Sequence, residues 1–430
     1  MTIIMNEDFL AFVWQYQYLH PSQLFTSTGE EIKVINTGFR NTNAGPDFTG
    51  SRLLLGRLEW VGCIEVHFRS SEWMQHQHQY DPVYESVILH VVWEDDQPVC
   101  HPNGTAVPTL ILKDKINETI RDRYELLLQK TDPIPCGRYF NTAPEIYKIN
   151  MSERLLLERL NRKSDEILLL LSTNQNDWEE TTYQFLLRYY GGTVNAEPFT
   201  RLAQVLPWKI LRKHHRNLLQ VEALLFGCAG LLPEESKEDY ILSLKREYHF
   251  LSQKYSLADF QMGYHEWKFL RIRPAGFPTI RLAQLAAFLC QQSNLFSFFN
   301  TSNDLEVLIA QLRTEQSEYW KHHFITGEKS KSPIPAMGSH TADSLVINVV
   351  LPLLVAYNKY LDRGEIIPDK VWAWLGKLPD EKNKILRMWQ SLGEHVNNAA
   401  DSQALLEWYT RYCEKKKCLD CGVGSYILRN

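Results

Sequence analysis

The sequence predicts an α+β protein, with an N-terminal α/β domain over residues 1–130, a linker over 131–150 and a large all-α domain over 151–430. Three observations predict it. Strand-like apolar runs crowd into the first 112 positions. From about Asn117 onward, apolar residues recur at helical spacing instead. Between these regimes lies Lys130–Lys148, rich in Pro and small residues, as a linker should be. A chain of 430 residues also exceeds one ordinary core, so two or three domains are expected.

Residues 6–19 read as an amphipathic helix, with Asn6 as N-cap and Glu7 and Asp8 in its first turn. Strands are expected over Glu31–Thr37, Thr49–Leu55, Leu58–Phe68 and Val87–Trp93, with a tight connection at Gly56-Arg57. The segment Ser71–Tyr80 reads as a short helix or an irregular loop. Thr109–Leu112 supplies a last strand after the Pro98–Pro108 loop. The order is thus helix, three strands, helix, strand. Beyond it, helices are expected over Thr119–Gln129, Ser152–Leu171, Trp178–Tyr190, Arg216–Ala229, Glu238–Tyr255, Ile280–Gln292, Asp304–Glu318, Ser344–Leu361 and Ala400–Lys416.

Composition is that of a soluble globular protein, 44% hydrophobic and 23% charged. No run of eighteen apolar residues is present, so no membrane partner is expected. The first residues lack a basic segment followed by a long apolar one, which argues against a signal peptide and for a cytoplasmic location. The eight cysteines are then thiols or metal ligands rather than disulfides. Charge is uneven. Residues 1–120 hold 7 Lys and Arg against 15 Asp and Glu, a net −8, and the remainder holds 39 against 36, a net +3. An acidic first domain suits a cation. It suits unspecific duplex binding poorly, because such binding runs on phosphate neutralisation.

The most informative motif is Gly45-Pro46-Asp47-Phe48, followed by Glu65-Val66-His67. Asp47 and Glu65 offer hard anionic oxygens, which suit Mg²⁺ or Mn²⁺. Residues i and i+2 of a strand share a face, so His67 stands beside Glu65 to move a proton. His76 and His78 follow in Trp73-x-x-His76-x-His78-x-x-Asp81. They face one way only in an extended segment, since a helix sets them about 200° apart. With His67 and His90 they form a histidine-rich cluster open to a transition metal or to proton transfer. His90 by itself, in an apolar strand, reads as a core histidine.

Three cysteines close the chain as Cys413-x4-Cys418-x2-Cys421, a spacing used for zinc or an iron–sulfur cluster. Cys136, set in the linker as Ile134-Pro135-Cys136-Gly137, is the expected fourth ligand and is expected to be exposed. Cys63, Cys228 and Cys290 sit in apolar runs and read as core. Basic and aromatic residues alternate over Trp267–Arg281, which makes Arg271, Arg273 and Arg281 candidate contacts to nucleic acid.

Around Gly45–Trp93 the chain resembles the PD-(D/E)XK nuclease superfamily, through Pro46-Asp47, Glu65-x-His67 and the order of elements. The resemblance implies a restriction-endonuclease-like first domain in which Asp47 and Glu65 bind Mg²⁺. It implies an accessory acidic role for Glu7, and it puts His67 where the family has a lysine. The whole chain also looks like a bacterial family of uncharacterised proteins, through the same motifs, Arg273-Pro274, Phe277–Arg281 and the Cys418–Cys421 tail. The leading expectation is a metal-dependent nuclease, with Asp47, Glu65, His67, His76 and His78 in its site. The alternatives are a non-catalytic scaffold with a degenerate nuclease fold, and a different metallohydrolase working through the histidines.

Overall fold

The structure, a computed structural model, describes residues 6–20, 23–41, 44–129, 132–362 and 367–430. The protein is α+β, an N-terminal sheet followed by a large helical region. It divides into two compact units, residues 1–152 with 408–430, and residues 153–407.

The first unit opens with helix α1 (Glu7–Tyr16), capped by Asn6, whose Oδ1 accepts the Phe9 N–H at 3.0 Å. Six consecutive residues, Phe9 to Trp14, are buried, so α1 is covered on every side rather than amphipathic. Among the described residues, seven strands follow in one sheet: β1 (Leu24–Phe25), β2 (Glu31–Asn36), β3 (Phe39–Arg40), β4 (Phe48–Leu55), β5 (Leu58–Arg69), β6 (Val87–Glu94) and β7 (Thr109–Ile111). The path across the sheet is β1-β2-β4-β5-β6-β7, with β3 pairing β4 beside it. Pairing is antiparallel up to β5 and parallel from β5 through β7. The parallel step needs a crossover, and the segment holding helix α2 (Glu72–Gln75) supplies it. β5 and β6 carry the apolar run Val87–Val92 and the buried residues Ile64 and Val66 at the centre of the sheet, as strands covered on both faces should.

Helix α3 (Glu118–Gln129) follows the sheet. Lys130 and Thr131, the start of the expected linker, lie outside the described residues. The rest of that segment belongs to the first unit and is not a spacer. It holds a 3₁₀ helix, Gly137–Thr142, and buries Ile134, Cys136 and Phe140. Cys136 is therefore enclosed, not exposed, because its apolar neighbours pull the segment inward. The terminal segment 408–430, expected with the helical domain, also groups with the first unit.

Among the described residues, the second unit is helical apart from a small ribbon, His323–Ile325 with Glu328–Lys329. Its core gathers large side chains such as Tyr183, Phe199, Trp208 and Trp320. The segment Ser339–Tyr360 is long and apolar enough to cross a membrane by length and composition, but 78% of its apolar window is buried within the protein. A core helix meets that description.

Candidate metal centre

The site is built on β4, β5, β6 and the crossover segment. Asp47 sits just before β4, where Gly45 has φ +103°, a conformation that L side chains rarely adopt. The Asn41 N–H donates to the Asp47 carbonyl at 2.7 Å, and the Asn41 side-chain amide donates to the Pro46 carbonyl at 3.0 Å. These bonds fix the loop that presents Asp47. Across the β4–β5 pairing, the Asp47 N–H donates to Glu65 Oε2 at 3.1 Å, and the Val66 N–H donates to Asp47 Oδ2 at 3.1 Å. Each carboxylate is thus held by backbone belonging to the other's segment.

Glu65 and His67 share one face of β5, as period two requires. The register sets Glu65 beside His90 of β6. Glu65, His67 and His90 are all buried. Glu65 Oε1 lies 3.5 Å from His67 Nε2 and 3.4 Å from His78 Nε2. His67 Nε2 lies 3.1 Å from His76 Nδ1, and His67 Nδ1 lies 2.8 Å from His90 Nε2.

His76 and His78 converge although their segment is neither extended nor one helix. His76 ends α2, Gln77 takes a left-handed conformation at φ +63°, and His78 begins a 3₁₀ turn, His78–Tyr80. That kink cancels the angle a continuous helix would impose. His78 is held by stacking on Tyr84, ring centroids 3.7 Å apart, and by the edge of the buried Trp73. One ligand atom from each of His67, His76 and His78 lies within 4.8 Å of the others. Two donors each about 2.1 Å from a shared ion stand roughly 3.0–3.4 Å apart at angles between octahedral and tetrahedral. The nearest separations here, 3.1 Å and 3.4 Å, fall in that range, and the third, 3.5 Å, lies at its edge.

Electrostatics also fit a cation. Burial, reinforced by neighbouring histidines, pushes His67 down to about 2 and His90 to about 3, so both rings are neutral, as imidazole ligands must be. Burial and the Glu65 charge push Asp47 up to about 6, against the pull of Arg40. Glu7, at the start of α1, is raised to about 7 by burial, then by the charges of Glu72, Asp47 and Glu65. Crowded carboxyls of this kind hold protons until a cation replaces them. The buried Nε2 of His78 has no hydrogen-bond partner and lies beside Glu65, which matches a ring awaiting a ligand.

His67 was expected to move a proton, yet it is almost fully enclosed, with both ring nitrogens facing other side chains. Asp47 and Glu7 are instead the carboxyls that burial and crowding raise toward neutrality. His90 belongs to the site as the partner of His67, although its apolar strand concealed this. Glu72, which accepts the Phe68 and Arg69 N–H groups at 2.9 Å and 3.0 Å, joins the acidic group without any signal in its surroundings. The arginines separate. Arg271 and Arg273 are exposed, whereas Arg281 is partly buried and donates to Gln284 Oε1 at 3.1 Å and Thr341 Oγ1 at 3.2 Å. Arg281 is therefore structural in its own unit. The four predicted cysteine ligands, Cys136, Cys413, Cys418 and Cys421, are all buried in the first unit.

The chain belongs to the family described as "Protein of unknown function (DUF2851)", whose model matches residues 7–384. The matched span takes in Asp47, Glu65, the four histidines and Cys136, and ends ahead of Cys413. No curated protein and no solved structure matches the chain.

Proposed function

We propose that this protein is a divalent-metal-dependent phosphodiester hydrolase of nuclease type. The observation that carries the reading is the convergence of Glu65 Oε1, His67 Nε2, His76 Nδ1 and His78 Nε2, with Asp47 locked to Glu65 beside them. The path of antiparallel strands that turns parallel from β5 through β7, with the acids at the β4–β5 junction, supports a resemblance to PD-(D/E)XK nucleases. A donor set of three imidazoles and one carboxylate favours Mn²⁺, Fe²⁺ or Zn²⁺ over Mg²⁺, which prefers oxygen. A bound ion would lower the pKa of a water and polarise a phosphoryl oxygen. Asp47 and Glu7 would accept and hold the proton, since both lie near neutrality. Exposed His76 marks the side open to solvent and substrate.

The imidazole-rich donor set also favours a second reading, a metallohydrolase acting on a small phosphorylated substrate. The acidic first domain argues the same way, since a long polyanion meets repulsion there. One experiment separates the two. Metal-loaded protein is assayed on single- and double-stranded DNA and RNA, and on a small aryl phosphodiester, with the Glu65→Gln and His76→Ala variants as controls. Cleavage of polymers that both variants lose supports the nuclease reading. Cleavage of the small ester alone supports the second. Metal binding without hydrolysis of any substrate sinks both.

A further inference from the structure

We infer that the second unit binds a small organic cation, one carrying ammonium or guanidinium donors, in a cavity between the helix Ser339–Leu345 and the loop that precedes the helix Lys384–Ser391. The cavity has a volume of about 330 Å³, within the range of small-molecule sites. His340, Asp343 and Ser344 line it from the helix, and Asp380, Glu381 and Lys382 line it from the loop. All of them belong to the second unit, so the site is complete within it.

Asp343 carries the argument. It is only 8% exposed, yet its carboxylate has no hydrogen-bond or ion-pair partner among the described residues. Buried carboxylates are ordinarily paired, because a lone one gives up its hydration and gains nothing. Its oxygens are not sealed in, and the cavity is the space they reach. Arg313 and His340 are the positive charges that act on it, but neither forms an ion pair with it. Arg313 is turned to the Met337 carbonyl, to which its Nε donates at 3.0 Å, and His340 is exposed. Against their pull, burial raises the Asp343 carboxyl above the usual carboxylate range, as befits a group short of donors.

Both walls are fixed by polar contacts that leave the cavity open. The helix bearing Asp343 runs on into a π-helical turn, Val346–Val350, a feature that collects at functional sites. Asn348 of that turn donates to the Ser344 carbonyl at 2.9 Å and to Ser344 Oγ at 3.2 Å, and its Oδ1 accepts from Arg159 at 3.2 Å. On the loop side, the Glu381 N–H donates to Ser402 Oγ at 3.0 Å, and Glu381 Oε1 accepts from the buried Gln403 at 2.9 Å. A site held in this way is formed before its ligand arrives.

The lining selects the ligand. Three carboxylates, of Asp343, Asp380 and Glu381, share the cavity with one ammonium, of Lys382, so anions are disfavoured. A bare metal ion is unsuited, because among the described residues the group able to hold one is His67, His76 and His78. Carboxylates spread around a cavity match N–H donors spread along an organic cation, each donor finding its own oxygen.

The test is calorimetric titration of agmatine, a guanidinium and an ammonium joined by a short chain, into the full-length protein. Asp343→Asn, Glu65→Gln and Asp259→Asn, the last an exposed acid of the same unit, are titrated alongside. One agmatine per chain is expected, with Kd raised tenfold or more in Asp343→Asn and unchanged in the other two. Should Asp343→Asn fail to fold, Asp380→Asn on the loop takes its place, and the same tenfold weakening supports the site. No binding at millimolar agmatine overturns the proposal, as does unchanged affinity in the cavity variant. Equal weakening in Asp259→Asn would reduce the binding to general attraction by acidic surface, and loss in Glu65→Gln alone would place it in the first unit; either result also overturns the proposal.

Discussion

His67 Nδ1 and His90 Nε2 lie 2.8 Å apart, and the direction of that one bond decides whether His67 can be a metal ligand. If His90 donates, His67 carries its proton on Nε2 and has no lone pair for an ion. If His67 donates from Nδ1, its Nε2 is left bare toward His76, His78 and Glu65. Cation binding therefore selects the second arrangement. The cost is that the buried Nδ1 of His90 then carries a proton with no acceptor, and that atom is indeed unpartnered.

The His90→Leu substitution removes the acceptor while filling much of the space. Metal affinity should fall about 10–100-fold, the usual effect of losing a group that orients a ligand histidine. Calorimetric titration of Mn²⁺ and Zn²⁺ into both proteins measures it. An unchanged affinity would show that the ring-to-ring bond does not set the tautomer.

The pH dependence of the metal-free protein should carry two opposing slopes. His67 and His90, at about 2 and about 3, lie below the ordinary 6.5, so the unfolded chain takes up protons first. Their contribution is complete above pH 6.5 and is lost as pH falls toward 3 and 2. Asp47 and Glu7, at about 6 and about 7, lie above the ordinary 3.8 and 4.5, so the folded chain holds those protons longer. Their contribution is complete at pH below about 4 and is lost as pH rises through 6 and 7. Denaturant unfolding across pH 4–8 should therefore show Asp47→Asn losing part of the decline on the alkaline side. The same decline in both proteins would remove Asp47 from the coupled acid group.

Saturating metal should reverse that decline in the wild type. At a free concentration one hundred times Kd, binding to the folded state alone contributes about 2.7 kcal/mol. Glu65→Gln and His76→Ala should abolish the gain and keep a cooperative transition. His76 is exposed, so its loss leaves the core untouched. A thermal shift on metal addition that survives in both variants would place the binding elsewhere.

The carboxylates were legible because Gly45-Pro46 marks a turn and Glu65-x-His67 carries the period of a strand. The meeting of His76 with His78 was not, because it depends on Gln77 at φ +63°, and glutamine gives no hint of a left-handed backbone. The spacing of the terminal cysteines was readable, but the burial of Cys136 was not. It follows from Ile134 and Phe140 folding inward, within a stretch whose Pro and Gly resembled a spacer. Periodicity also marked 400–416 as helical without saying which core it joins, since an apolar stripe does not name its partner. The three arginines looked alike in sequence. Only packing told them apart, because Arg281 lies in the first turn of Pro278–Leu289, whose flanking residues Ile280 and Leu282 are fully buried.

That difference is measurable. Arg281→Ala should destabilise the second unit by about 1–3 kcal/mol, because it strands the partners Gln284 and Thr341 beside a buried surface. The double change Arg271→Glu and Arg273→Glu should leave the unfolding midpoint nearly unchanged, as exposed substitutions do. If this loop touches nucleic acid, the double variant should also bind oligonucleotides more weakly and with a shallower salt dependence. Equal destabilisation by both changes would contradict the assignment of Arg281 to packing.

Gly424→Ala tests the tail by sterics alone. The new Cβ would meet the Cys418 carbonyl oxygen at 2.4 Å, a backbone atom that cannot swing aside as a flexible side chain can. Either the terminal helix lifts or the Cys418–Cys421 turn shifts, at a cost of about 1–3 kcal/mol. Helix propensity works in the opposite direction, because Ala favours a helix interior by about 1 kcal/mol over Gly. A net loss of stability therefore reports the clash and nothing else. Gly422→Ala is the matched control, since nothing stands within 4 Å of its Cβ. Limited proteolysis should cut the Gly424→Ala tail faster than wild type and leave Gly422→Ala at the wild-type rate. Equal rates in all three would mean that the tail does not close over Cys418 in solution.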